Sequence, residues 1–153
     1  MKRLKKIKVD IEKVNKIYHI ADVHIRNLKR HKEYRDVFSH LYGHILTTME
    51  ENDIIVIAGD IVHAKTDMSP EVVDLTQEFF TRLADLLPTI VIPGNHDANL
   101  NNTSRLDALT PIINALKHPN LFYLKDTGGW SLGNVTFVHQ SVWDNSPGSP
   151  PRS

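Results

Sequence analysis

Residues 54–58 read Ile-Ile-Val-Ile-Ala, five apolar residues in succession, four of them β-branched. A strand with one wet face alternates polar and apolar side chains, so a run with no polar member must be covered on both faces. Such a strand belongs inside a parallel sheet, whose crossover connections lay helices over it. The flanking sequence supplies both neighbours and helices. Residues 16–21 (Lys-Ile-Tyr-His-Ile-Ala) form a short apolar run upstream, and residues 89–92 (Thr-Ile-Val-Ile) form another downstream. Between the first two runs, Tyr34, Phe38, Leu41, Tyr42, Ile45, Leu46 and Met49 recur at helical spacing, and Asn52-Asp53 ends the stripe. Between the second and third, Ser69 is placed to cap a helix and Pro70 to open it. Val72, Leu75, Phe79, Leu83 and Leu86 form its apolar stripe, which stops before Pro88. The order is β-α-β-α-β, and the fold class is α/β.

Farther on, Ser104 is placed to cap a third helical segment carrying Leu106, Leu109, Ile112, Ile113 and Leu116, with a break or restart at Pro111. Residues 121–124 and 135–138 read as the two strands of a hairpin around Gly128-Gly129 and Gly133-Asn134. The last ten residues hold three prolines and no aliphatic side chain, and are expected to be disordered. A chain of 153 residues suits one domain. The expected division is a basic N-terminal segment (1–15), one domain (16–143) and the tail (144–153). With no cysteine there is no disulfide framework or thiolate metal site, so a metal would sit on His, Asp, Glu or Asn. No apolar run approaches the roughly 18 to 20 residues that span a bilayer, and the basic N-terminus lacks a secretory apolar stretch. An intracellular location away from membranes is expected.

The formal net charge of zero conceals an asymmetry, because residues 1–35 hold 12 of the 18 Lys and Arg but only 4 of the 18 Asp and Glu. The clusters Lys2, Arg3, Lys5, Lys6 and Lys8, then Arg26, Lys29, Arg30, Lys32 and Arg35, suit a polyanionic partner such as nucleic acid. The plainer alternative is a solubilising, solvated face, since no aromatic is interleaved in the first basic run.

The chemistry appears just past the end of each apolar run. After the first come Asp22-Val23-His24, after the second Gly59-Asp60-Ile61-Val62-His63, and after the third Gly94-Asn95-His96-Asp97. In an open α/β sheet ligands bind beyond the carboxyl ends of the strands, so these three ends are expected to converge. Alternation along an extended chain would put Asp22 and His24 on one side, and Gly59 and Gly94 would allow sharp turns before the polar residues. Carboxylate, imidazole and amide donors without sulfur suit Mn²⁺, Fe²⁺ or Zn²⁺ better than Ca²⁺ or Mg²⁺. Singly, each motif is a common cap or turn. Three strand ends in order are not a coincidence of that kind.

These motifs resemble those of the calcineurin-type metallophosphoesterase superfamily, whose first three read D-x-H, G-D and G-N-H-D. The closer resemblance is to its SbcD-like branch, the nuclease subunit of DNA double-strand-break repair. That branch carries a histidine three residues after the second-motif aspartate, here His63, and Arg105-Leu106-Asp107-Ala108-Leu109 is also similar to it. The likeness covers about residues 16–144. It implies a metallophosphoesterase-type layered sandwich and two divalent cations, with Mn²⁺ the leading choice. Asp22 and His24 would bind the first cation, Asp60 would bridge both, and Asn95 would bind the second. His96 would act on the scissile phosphate or leaving oxygen, Asp97 would orient it, and His63 would serve nuclease action. A bridging carboxylate of this kind holds two cations roughly 3.5 to 4 Å apart. The implied function is phosphodiester hydrolysis of DNA in recombination and repair, with DNA and an SbcC-like ATPase as partners and a homodimer left open.

The resemblance also implies three later histidines, one in a fourth motif and two in G-H-x-H, whereas the chain after Asp97 contains only His118 and His139. The expected fold is therefore the first half of such a domain, with little turnover on its own. His139 follows a strand but is expected to bind no metal; His40, His44 and His118 are expected to be surface or turn residues. A non-catalytic fragment that keeps a partner-docking or DNA-facing surface, and a protein or small-molecule phosphatase, are the alternatives.

Overall fold

The computed structural model describes residues 4–26, 30–62, 68–94 and 107–141. Four strands form a parallel sheet: β2 (Ile17–Ala21), β3 (Ile54–Ala58), β4 (Thr89–Ile92) and β5 (Leu121–Tyr123), in the spatial order β2-β3-β4-β5. The most apolar runs take the two central places: β3 has no polar side chain, and the one in β4, Thr89, is buried with its hydroxyl donating to the Leu87 carbonyl at 3.0 Å. Among the described strands β2 lies at an edge, and its alternating exposure reflects one covered face, where Tyr18 and Ile20 pack on the core, and one more open face.

The crossovers are helical. Helix α1 (His31–Thr48) connects β2 to β3, and α2 (Pro70–Leu86) connects β3 to β4. The Ser69 side chain accepts a hydrogen bond from the Val72 amide at 3.2 Å, and Pro70 opens the helix as expected. Ile55, Ile57, Val91 and Leu121 face the helices, where Phe38, Tyr42, Phe79 and Phe80 pack against them. The other face, with Ile54, Val56, Ile90 and Leu124, packs on Ile7, Trp130 and Leu132 of a second, three-stranded sheet. A central sheet covered by helices on one side and by a sheet on the other is a layered α/β sandwich.

That second sheet is ordered β1-β6-β7, from β1 (Lys5–Lys6), β6 (Gly128–Leu132) and β7 (Val135–His139). The hairpin partner of β7 is thus β6, turning at Gly133-Asn134, and residues 121–123 instead form the fourth parallel strand. Two glycines at its start hide β6 from a propensity reading, although Trp130 and Leu132 alternate inward as a strand demands. Strand β1 pairs in parallel with β6, and the Ile7 amide donates to the Ser131 carbonyl at 2.8 Å. The basic segment is packed here: Ile7 is buried while Lys6 and Lys8 on either side are exposed. Residues 144–153 and the capping position Ser104 lie outside the described residues. Among those described, no helix is long and apolar enough to cross a membrane.

The third helix, α3 (Thr110–Leu116), begins later than the apolar spacing suggests, because Asp107 starts it. The buried Asp107 carboxylate accepts the Leu109 amide at 2.8 Å and the Thr110 amide at 2.7 Å. It also takes the Tyr123 hydroxyl at 3.1 Å and pairs with the Lys125 ammonium at 3.1 Å. Burial pushes its pKa up, but the Thr110 hydroxyl and amide and the Lys125 charge outweigh that and hold it below the usual carboxylate value. A depressed folded-state pKa contributes stability above the ordinary value of about 3.9, and that contribution is lost as pH falls through the folded value. Asp107→Asn should therefore cost about 1–3 kcal/mol at pH 7. In urea titrations the gap to the wild type should narrow near pH 3; an equal gap at both pH values would refute this role.

Candidate metal centre

Strands β2 and β3 run in register to their ends, with Ala21 opposite Ala58, so the segments beyond the two strands emerge side by side. Pairing then resumes: the His24 amide donates to the Asp60 carbonyl and the Ile25 amide to the Ile61 carbonyl, each at 2.9 Å, and Ile25 bridges Val62. Between the two stretches the backbone turns left-handed, with φ of 54° at Asp22, 50° at His24, 75° at Gly59 and 49° at Asp60. Asp and His tolerate this region better than most residues, but three of them together are a concentration of strain. Such strain collects where the fold aims side chains at a common point. The extended alternation expected of Asp22-Val23-His24 is therefore not what brings its two ends together; paired left-handed turns do.

The consequence is a cluster. One ligand atom from each of Asp22, His24 and Asp60 lies within 4.8 Å of the others, and Nε2 of His24 is 3.9 Å from Oδ1 of Asp22. Asp22 is exposed, whereas His24 and Asp60 are half-buried. The Tyr34 hydroxyl donates to the His24 carbonyl at 2.6 Å, tying this residue to α1. That contact is invisible in the sequence, where Tyr34 reads only as one member of the apolar stripe.

Gly94 serves a different purpose from the one its motif suggests. A Cβ on Gly94 would fall on the carboxylate and the amide of Asp60, so the position must be empty for Asp60 to stand where it does. Gly59 does turn with positive φ, and its amide donates to the Ile92 carbonyl at 2.8 Å. Each glycine thus has a distinct task, one conformational and one steric.

His63, Asn95, His96 and Asp97 lie outside the described residues. His139 ends β7 in the second sheet, with its ring 6.4 Å from Trp130, and does not belong to the Asp22–His24–Asp60 group. His118 pairs with Asp85 at 2.7 Å, and His40 contacts the Asp36 carbonyl at 2.8 Å on its own helix. Two carboxylates and an imidazole without sulfur fit a borderline-to-hard divalent cation.

A layered α/β sandwich with such a donor set at the ends of adjacent parallel strands defines a candidate metal-dependent phosphoesterase. The chain belongs to the calcineurin-like phosphoesterase family, whose model matches residues 15–149. It is 51% identical over 131 residues to "Uncharacterized protein R555" of Acanthamoeba polyphaga mimivirus, a match covering 84% of this chain and 10% of that protein. It is 30% identical over 123 residues to "Putative phosphoesterase 244L" of Invertebrate iridescent virus 6, covering 80% of this chain and 42% of the other. The chain therefore spans less than half the length of either relative. Among solved structures, the nuclease MPE of Pseudomonas putida superposes with a TM-score of 0.47 at 20% identity, over 77% of this chain and 50% of that one.

Proposed function

We propose that this chain holds Mn²⁺ at Asp22, His24 and Asp60, and that the cluster serves phosphodiester hydrolysis of DNA in the manner of an SbcD-like nuclease. The observation that carries the reading is the convergence of these three donors at the ends of β2 and β3 in a phosphoesterase-family chain. The +8 balance of residues 1–35 favours a polyanionic diester over a small phosphomonoester.

A bound divalent cation supplies Lewis-acid polarisation of phosphoryl oxygens and acidifies water in contact with it. The chain's own residues do the rest. Asp22 and Asp60 contribute negative charge that concentrates the cation, His24 contributes a directional nitrogen, and Tyr34 fixes the turn that presents it. In the same proposal Asn95 serves a second cation, His96 stabilises or protonates the leaving oxygen with Asp97 orienting it, and His63 serves nuclease action. An SbcC-like ATPase is the proposed partner.

Because the resemblance calls for three later imidazoles, metal binding is the primary readout on this chain. Titration calorimetry with Mn²⁺ should show one weak site, and Asp60→Ala should lower its affinity at least roughly a hundredfold, since losing even an outer-shell partner costs 10–100-fold. Two tight, equivalent sites, or binding unchanged in Asp60→Ala, would overturn the assignment. What hydrolysis the chain supports should favour bis(p-nitrophenyl) phosphate over p-nitrophenyl phosphate; the reverse preference favours the phosphatase reading.

A further inference from the structure

Among the described residues, strand β1 pairs only with β6, and β5 only with β4. A groove of about 370 Å³ is lined by Lys5, Lys6 and Lys8 from the first basic run and by Phe122 and Trp130, of which Trp130 is only 9% exposed. The three lysines are exposed, and none makes an ion pair with a described residue. Lys5 Nζ lies 5.7 Å from the centre of the Trp130 ring, and Phe122 is half-buried beside it. The first basic run contains no aromatic in sequence; the fold brings two to it from β5 and β6.

We propose that this groove binds single-stranded nucleic acid, with the lysines on phosphates and the half-buried Phe122 ring against an unstacked base. Lysines with no ion-pair partner among the described residues give the complementarity a polyanion needs, and an aromatic ring rewards only bases that are free to leave a duplex stack. The placement suits delivery to the metal centre. Neighbouring strands are about 4.8 Å apart, so the carboxyl end of β5, two strands from β3, lies roughly 10 Å from the end that carries Asp60. A strand lying along β5 reaches the cluster within a few nucleotides.

The inference deepens the nuclease reading and rests on it for the identity of the substrate. Its test is therefore run in EDTA, where the metal cluster plays no part. Anisotropy of a fluorescein-labelled 15-nucleotide single strand is measured against salt for the full chain, for the Lys5→Ala/Lys6→Ala/Lys8→Ala triple variant and for Phe122→Leu. The triple variant should bind at least tenfold more weakly at low salt. Its slope of log K against log salt should be shallower by about 2, as three lost contacts at roughly 0.7 each require. Phe122→Leu should bind about fivefold more weakly at unchanged slope. An unchanged affinity and slope in the triple variant overturns the proposal, even if Phe122→Leu fails to fold. So does tighter binding of a 15-base-pair duplex, or a chain that sediments as a dimer sensitive to the lysine substitutions, which would make a second copy the occupant. Loss of Mn²⁺ binding alone counts against the metal centre and leaves the groove standing.

Discussion

Gly94→Ala is expected to reduce Mn²⁺ affinity at least tenfold and to destabilise the fold by about 1–3 kcal/mol, the usual range for forcing an atom into a filled space. The added methyl would occupy the position of the Asp60 carboxylate and press on its amide. Neither group has room to yield. The Asp60 carbonyl receives the His24 amide at 2.9 Å, and the preceding Gly59 amide is held by Ile92 at 2.8 Å. Displacing Asp60 therefore moves the second turn of the cluster as well. Calorimetry and thermal melting of the variant measure both effects, and wild-type affinity in Gly94→Ala would show that the Asp60 turn is not fixed by this contact.

Phe79→Ala should be the most damaging single truncation for stability. Phe79 has no exposed surface, stacks on Phe38 with ring centres 4.3 Å apart, and contacts Tyr42 and Phe80 at 6.4 and 6.1 Å. It joins α2 to α1 alongside the Arg35 contacts with Asp74 and Glu78 and the placement of Arg82 over Tyr42. Removing a buried phenyl ring costs about 3–5 kcal/mol, a large share of the roughly 5–15 kcal/mol that holds a typical domain folded. Phe79 also lines an apolar groove of about 430 Å³ with Ile20, Val23 and Tyr34, next to the residues that carry His24. Urea denaturation should place the midpoint of Phe79→Ala far below that of Phe79→Leu, which keeps most of the volume. Equal midpoints for the two variants would mean that buried volume at this position contributes little.

Much of this architecture is legible in the residues. The β3 run announces a buried parallel strand because nothing polar interrupts it, the β4 run does so through its three successive β-branched aliphatics, and Ser69-Pro70 marks the start of α2 by hydrogen-bonding chemistry that needs no tertiary context. Asp22, His24 and Asp60 are legible as a group because each comes just after a strand. What the residues conceal is three-dimensional. β6 begins with two glycines that carry no strand signal. The left-handed turns at Asp22, His24 and Asp60 depend on pairing that resumes beyond them, and Gly94 is steric rather than flexible because of a residue far away in the chain. The aromatic neighbours of the first lysine run likewise come from strands late in the sequence.

The pairing of Lys5 with Trp130 has a bearing on the order in which the molecule assembles. Units such as β2-α1-β3 and β3-α2-β4 close over short stretches and can form as the chain lengthens. The smaller sheet cannot, because its first strand waits for partners from the far end of the described chain. Closing so long a loop costs entropy that only the finished interface returns. The helix-bearing half of the sandwich is thus expected to form first, with Ile54, Val56 and Ile90 uncovered, and the capture of the N-terminal strand to come last. In that order of assembly, an apolar sheet face would stay open to chaperones and to other nascent chains until β1 is captured.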